Sequence, residues 1–286
     1  MASIPSTVRR LLAVLAHPDD ESFGPGGTLA LYARRGVDVH LACATRGELG
    51  SAPKELLAGH ADVAALRERE LDCAAAELGL SAVHLLGYRD SGMPGSPDNQ
   101  HPRALAAAPL DQVAAQVTQL IRQIQPQVVI TFDPMGGYRH PDHIAIHRAT
   151  LEAFHASGDP ARYPGGPHAF QPDKLYYHTF DRRFLRVAVR MMRFIGRDPS
   201  RFGQNADIDL ADIASQDFPT HAHIDIRRVA DIKSRAAACH ASQGGPPSSG
   251  LMGWFFRLTG GSETFMRAYP PAPSDLRETD LFEGLS

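Results

Sequence analysis

Residues Ala16–Glu21, AHPDDE, place a histidine, a proline and three adjacent carboxylates directly behind the apolar run LLAVLA at 11–16. Neighbouring carboxylates repel one another unless a cation stands among them. His17 and Asp20, at i and i+3 of one turn, can offer a nitrogen and an oxygen to a single metal ion. Asp19 points elsewhere in such a turn. A carboxylate beside a metal that accepts a proton from water is the usual general base of metal-assisted hydrolysis, and that is the chemistry open to Asp19. Its plain structural alternative is to cap the helix that follows. Pro18 stiffens the turn, and Glu21 puts negative charge at the start of that helix, where the dipole favours it.

A catalytic ion needs a third protein ligand, and the sequence offers an echo. HPDD at 17–20 returns as HPDH at 140–143, again behind an apolar run. His140 and His143 are spaced i and i+3. A rival pair is His143 and His147, spaced i and i+4 as in the HExxH proteases, but the residues between them are Ile, Ala and Ile with no acid. His143 is therefore the expected ligand and His147 a supporting or structural residue; the structural alternative for His143 is to pack the start of its helix. GPGG at 24–27 resembles a phosphate loop only superficially, because GxGxxG is absent and its entry is acidic.

The elements needed to bring these turns together are legible in the hydrophobic pattern. Short apolar runs at 11–16, 37–44, 82–87 and 127–132 read as buried strands, and segments 26–36, 60–79, 110–125 and 140–156 as helices. Strand–helix alternation implies right-handed crossovers and a Rossmann-like, doubly wound, mainly parallel α/β sheet. Ligands bind outside the carboxyl ends of such strands. AHPDDE, ATRGELG, GYRDSGM and FDPMGGYRHPDH each follow one of the four strands, so all four polar clusters fall on one edge. Beyond residue 158 the pattern predicts strands at 173–180 and 221–226, helices at 185–196 and 227–242, and loops at 158–172 and 244–262. One domain over 1–286 is expected, its core at 1–157 carrying the metal site and 158–286 forming a variable C-terminal part.

Composition narrows the function. The 286 residues are 43% hydrophobic and 21% charged, with net charge −3 and no Lys/Arg run, which disfavours a nucleic-acid partner. Fourteen histidines are a weak hint of metal chemistry. Three scattered cysteines, Cys43, Cys73 and Cys239, read as buried thiols rather than a disulfide framework or a thiolate metal site. The N-terminus has no signal-peptide cleavage pattern and the chain no stretch of about 20 apolar residues, so a soluble cytoplasmic protein without membrane insertion is expected. A homo-oligomer stays open.

AHPDDE, TRGE at 45–48, GGYRHPDH at 136–143, ESFGPGGTLA at 21–30, RxxEL at 67–71, RDSGM at 89–93 and HASQ at 240–243 occur in an order that resembles the LmbE-like (PIG-L) N-acetylglucosaminyl deacetylase family. The resemblance covers roughly 11–157 and resumes thinly at 233–243. It implies one Zn2+ per chain, held by His17, Asp20 and His143, and hydrolysis of an acetamide on a small glucosamine-type substrate, with Asp19 as general base. Fe2+ or another divalent ion fits the same donors. It further implies that His140, oriented by Asp142, and Tyr138 stabilise the oxyanion, and that Glu48, Arg67 and Asp90 line the sugar pocket. Glu68, Arg69 and Glu70 read as a solvated helix face or an internal ion pair. The segments 92–109, 158–172 and 244–262 match nothing in the family and are expected to select the substrate. Two other functions compete: an amidase for a larger glucosamine-linked amide or thiol S-conjugate, and a non-catalytic sugar- or nucleotide-binding protein with a structural cation.

Overall fold

The computed structural model describes residues 8–179, 182–201, 209–216, 218–244 and 261–285. In chain order the first half forms β1 (Arg10–Leu15), α1 (Asp20–Phe23), α2 (Gly26–Arg34), β2 (Asp38–Thr45), α3 (Lys54–Leu57), α4 (Val63–Leu78) and β3 (Ala82–Tyr88). Then come α5 (Leu110–Ile124), β4 (Val128–Phe132), α6 (Gly136–Arg139), α7 (Pro141–Ala156) and β5 (Lys174–Thr179). The remainder supplies α8 (Arg182–Phe194), α9 (Leu210–Ser215), β6 (Ala222–Asp225), α10 (Ala230–Cys239) and β7 (Ser262–Tyr269).

The strands form one seven-stranded sheet in the order β3-β2-β1-β4-β5-β7-β6. β1 to β5 run parallel, whereas β7 is antiparallel to both β5 and β6. This is the mainly parallel α/β sheet the sequence predicts, with helices packed on it. Continuous apolar runs suit β1 and β4 because helices cover them on both faces: Leu11, Leu12, Val14, Val128, Val129 and Ile130 are fully buried. Each such side chain stabilises the fold by about 1.5–3 kcal/mol relative to exposure. Strand order reverses between β1 and β4, which opens a crevice at their carboxyl ends.

Helix boundaries follow local chemistry. α4 starts where Asp62 accepts the Ala65 amide at 2.7 Å, and ends at Gly79 in the left-handed conformation that a side chain would disfavour. α7 starts at His140, whose Nδ1 accepts the Asp142 amide, with Pro141 in the first turn. The predicted helix over 227–242 is instead α10 flanked by single turns at 227–229 and 241–243. β7 was not expected, because SETFMRAY lacks the alternation of a half-buried strand. Residues 245–260 of the predicted 244–262 loop lie outside the described residues.

Two expectations are corrected here. Cys73 and Cys239 are joined in a disulfide that ties α4 to the end of α10, with Cα atoms 5.8 Å apart; Cys43 alone is a free buried thiol. Helix packing brings the pair together across 166 residues, so no local spacing could announce it. The 158–172 loop lies at the edge of the sheet opposite the polar clusters, because α7 carries the chain back to where β5 must begin. There the buried Arg122 guanidinium donates to the carbonyls of Ala156, Ser157, Asp159, Arg162 and Tyr163, and the Asp173 amide donates to Gln127 at the foot of β4. Its position removes it from substrate selection.

Candidate active site

The turns after β1 and β4 meet at the crevice. His17 Nε2 lies 3.1 Å from Asp142 Oδ2, and His143 Nδ1 lies 3.1 Å from the Gly136 carbonyl. In the tautomers that satisfy both partners, these nitrogens carry the protons, so His17 Nδ1 and His143 Nε2 are left as lone pairs. Those two atoms face each other at 3.2 Å. Asp20 adds its carboxylate, Oδ1 at 3.3 Å from His143 Nε2 and Oδ2 at 3.5 Å from His17 Nδ1. Two lone pairs and a carboxylate converging in a buried space require a cation. Ligand bonds of about 2.0–2.2 Å at tetrahedral angles would set donor atoms about 3.3–3.6 Å apart, so the spacing suits a zinc-sized ion. His17, Asp20 and His143 could therefore hold the metal, and Asp142 backs His17 as carboxylates back metal-bound histidines.

The electrostatics carry the same message. Burial opposes charge on His17, but its bonds to Asp142 and Asp20 and the nearby Asp90 outweigh it and hold the imidazole well above its ordinary pKa. Burial would raise Asp20, yet His143 and His17 pull its carboxyl well below the usual range. The cluster thus draws in a proton when no other cation is present, and metal binding must displace it.

His140 belongs to the same cluster, one ring nitrogen lying within 4.8 Å of ligand atoms of both His17 and His143. Burial and the two neighbouring imidazoles push its pKa well below the ordinary value. Because Nδ1 of the neutral ring accepts the Asp142 amide, its proton sits on Nε2, which is therefore a hydrogen-bond donor. Asp142 orients His140 through this backbone amide. Its carboxylate serves His17 and Ser91. Tyr138 packs edge-on to His143 with ring centroids 5.0 Å apart. Burial and then the charges of Asp20, Asp19 and Asp90 raise its phenol, which stays protonated. Glycine is required at 136, where φ is +64° and a Cβ would collide with His143.

Asp19 occupies the helix N-cap position, but its side chain makes no capping bond. Its φ of 126° is a backbone conformation that costs a non-glycine residue about 1–3 kcal/mol. Oδ2 accepts from Arg67 Nη2 at 2.9 Å. Burial raises the carboxyl to about 6 against the pull of Arg67. Arg67 is itself buried on α4, and its guanidinium also donates to the Gly47 and Pro18 carbonyls, so it spans the turns after β1 and β2. A Cβ on Gly47 would strike that guanidinium. Glu48 Oε2 accepts the Asp90 amide at 3.1 Å, and Asp90 in turn accepts the Gly92 and Leu49 amides. These two acids stitch the loops after β2 and β3 together beside His17. Glu70, read as part of a solvated helix face or an internal ion pair, is buried and accepts the Ser242 amide and hydroxyl at 2.7 and 2.6 Å. Its place on the α4 face packed against α10 explains the difference. His147 stands apart, its Nδ1 2.8 Å from the Phe132 carbonyl and its ring against Tyr177.

Sequence reasoning passed over Ser91. Its amide and hydroxyl both donate to Asp142, while its hydroxyl accepts the Ala106 amide at 2.9 Å and its carbonyl accepts Asn99 Nδ2 at 2.6 Å. Segment 92–109 is thereby tied to the carboxylate behind His17. The RDSGM motif contained the signal without revealing the partner.

Fold and site together define an α/β protein of the switch-point type with a buried His/carboxylate cluster that could hold a metal ion. Residues 12–154 match the family model described as PIG-L, GlcNAc-PI de-N-acetylase. Two relatives named 1D-myo-inositol 2-acetamido-2-deoxy-alpha-D-glucopyranoside deacetylase, from Geodermatophilus obscurus and Rhodococcus erythropolis, are each 38% identical. The matches cover 97% of this chain and 98% of the first relative, and 98% and 99% for the second. The chain belongs to the PIG-L (LmbE-like) family. Among solved structures, N,N'-diacetylchitobiose deacetylase from Pyrococcus horikoshii shares the fold with TM-score 0.60 and 21% identity, over 91% of this chain and 84% of that one. So does 4-carboxy-2-hydroxymuconate hydratase from Pseudomonas putida, with TM-score 0.60 and 19% identity over 94% of this chain and all of that one. The fold thus hosts more than one chemistry, and function must be argued from the site.

Proposed function

We propose that the protein is a zinc-dependent N-deacetylase that frees the amine of an N-acetylglucosamine conjugate, with glucosamine-linked inositol as its product. One observation carries this reading: two imidazole lone pairs and the Asp20 carboxylate converge beside an Asp19 carboxylate that retains an oxygen for proton transfer. The relatives' names supply the inositol-linked sugar. His17, Asp20 and His143 would hold the ion, and Fe2+ suits the same donors. Bound there, a metal ion lowers the pKa of water from about 15.7 toward about 7 and polarises a carbonyl.

The chain's own residues divide the remaining work. Asp19 takes a proton from water while Arg67 fixes its other oxygen. With a carboxyl near 6, Asp19 can hold that proton and pass it to the leaving amine at neutral pH. His140 stays neutral and serves as an Nε2–H donor to the developing oxyanion, joined by the Tyr138 hydroxyl; losing one such donor typically costs about 10²–10³ in rate. Glu48 and Asp90 shape the wall behind the sugar. Among the described residues no helix is long and apolar enough to cross a membrane. A cytoplasmic location is part of the proposal, and it requires the Cys73–Cys239 bond to survive a reducing compartment.

The test is amine and acetate release from N-acetylglucosaminyl inositol by the purified protein before and after chelation, with zinc added back. Release that chelation abolishes and zinc restores is expected. A metal-loaded protein that hydrolyses no N-acetylglucosamine conjugate would overturn the deacetylase reading.

A further inference from the structure

Glu21 and His240 lie outside the proposed reaction, yet both side chains are wholly shielded from solvent. Glu21 Oε2 accepts the backbone N–H of Asp19 at 3.0 Å. Its Oε1 accepts Ser22 Oγ–H at 2.5 Å and His240 Nε2–H at 2.7 Å. A buried carboxylate held by three donors is a rigid object, and one of those donors is the amide of the residue with the 126° φ. A first-turn amide has no partner within its own helix, so Glu21 supplies one and fixes the backbone from which the Asp19 carboxylate projects.

We propose that Glu21 and His240 form a positioning pair that sets the backbone of Asp19; the inference rests on Asp19 being the proton-transferring residue. The surroundings point the same way. His240 follows Cys239, whose disulfide fastens the end of α10 to Cys73 on α4. Two residues further on, Ser242 is bound through amide and hydroxyl to Glu70, also on α4. The same helix carries Arg67, which grips the Asp19 carboxylate. Asp19 is therefore held twice, by its carboxylate from α4 and by its amide through Glu21 from the segment that α4 anchors. A filler at position 240 would need neither the 2.7 Å bond nor the clamps on either side of it. With both side chains shielded from solvent, the pair acts through Asp19 and not on the reacting atoms.

The experiment compares His240→Ala, His240→Gln and Glu21→Gln with the unaltered full chain, measuring metal content, thermal midpoint, kcat and KM for amine release from N-acetylglucosaminyl inositol. Misplacing a reacting group by about 1 Å costs about 100-fold. The Ala variant should therefore lose roughly 10- to 100-fold in kcat, with KM within about two-fold of the unaltered protein and metal retained. His240→Gln keeps an N–H donor at the Nε2 position and should recover most of the loss. The amide ¹⁵N and ¹H shifts of Asp19 should move in His240→Ala and Glu21→Gln and return in His240→Gln. Unchanged kcat in His240→Ala overturns the proposal, and so do equal losses in the Ala and Gln variants, which would mark a packing role. An unaltered protein that releases no amine counts against the deacetylase reading, while the Asp19 shifts still decide whether the pair sets that backbone.

Discussion

Replacing Arg67 with Met separates two roles that one guanidinium could play. The structure commits Nη2 to Asp19 and Pro18 and Nη1 to Gly47, so the side chain is engaged before any sugar arrives. Its charge lowers an Asp19 carboxyl that burial has raised to about 6, so removal lets the carboxyl climb further. An adjacent arginine holds an aspartate down by about 1–3 units. At pH 7 the ionised fraction then falls from roughly 0.9 to between roughly 0.5 and 0.01, a loss of about two- to 100-fold in kcat/KM. The sign is fixed: the acid limb moves to higher pH, and activity returns as pH is raised. A bound cation draws both profiles down together without reversing their order. Amine release followed by a fluorogenic amine reagent from pH 5.5 to 9.5 would show the displaced limb. A loss that is the same at every pH and confined to KM would refute this reasoning and return Arg67 to the sugar pocket.

Metal content by atomic emission should fall to near zero in His143→Ala and stay at one per chain in His147→Ala, whose imidazole is spent on the Phe132 carbonyl. Metal uptake by chelated protein should release a proton and weaken as pH drops, because His17 is held above its ordinary pKa and must lose its proton to bind. Glu263 accepts the Gly27 and Thr28 amides at the start of α2 and pairs with Lys233, so Glu263→Gln should destabilise the fold by about 3–5 kcal/mol in denaturant titrations near neutral pH. Burial would raise its carboxyl, but Lys233 and His178 hold it below the ordinary value. Its stabilisation is therefore complete above about pH 4.3, the unfolded value, and disappears as pH falls through the folded one, narrowing the gap to the variant. Denatured, unreduced protein should titrate one thiol from its three cysteines, and all three after reduction.

What the sequence made legible was local. Each of the two turns gathers its polar residues into four consecutive positions, HPDD directly behind β1 and HPDH eight residues beyond the end of β4, so both announced themselves, and strand–helix alternation put both on one edge. What stayed hidden depends on partners that only tertiary packing unites. Ser91 meets Asp142 across 51 residues, His240 meets Glu21 across 219, and Cys73 meets Cys239 across 166. Charge patterning misplaced Glu70 for the same reason: a helix facing solvent and one packed on another charged segment can share a sequence such as REREL. Loop 158–172 was misjudged because failure to match a family says nothing about which edge of a sheet a connection occupies.

The bonds that run from Ala106 and Asn99 through Ser91 to Asp142, and from Asp142 to His17, join the unmatched 92–109 segment to the metal-facing cluster. Change in that segment cannot be confined to the segment itself. A substitution there that disturbs Ser91 also alters how firmly His17 is oriented, so under the proposed function any new substrate preference and the hold on the metal would be inherited together. Lineages exploring new sugar conjugates would be steered toward substitutions that leave Ser91 in place, and a designer grafting a foreign loop would have to carry its Asp142 anchor along.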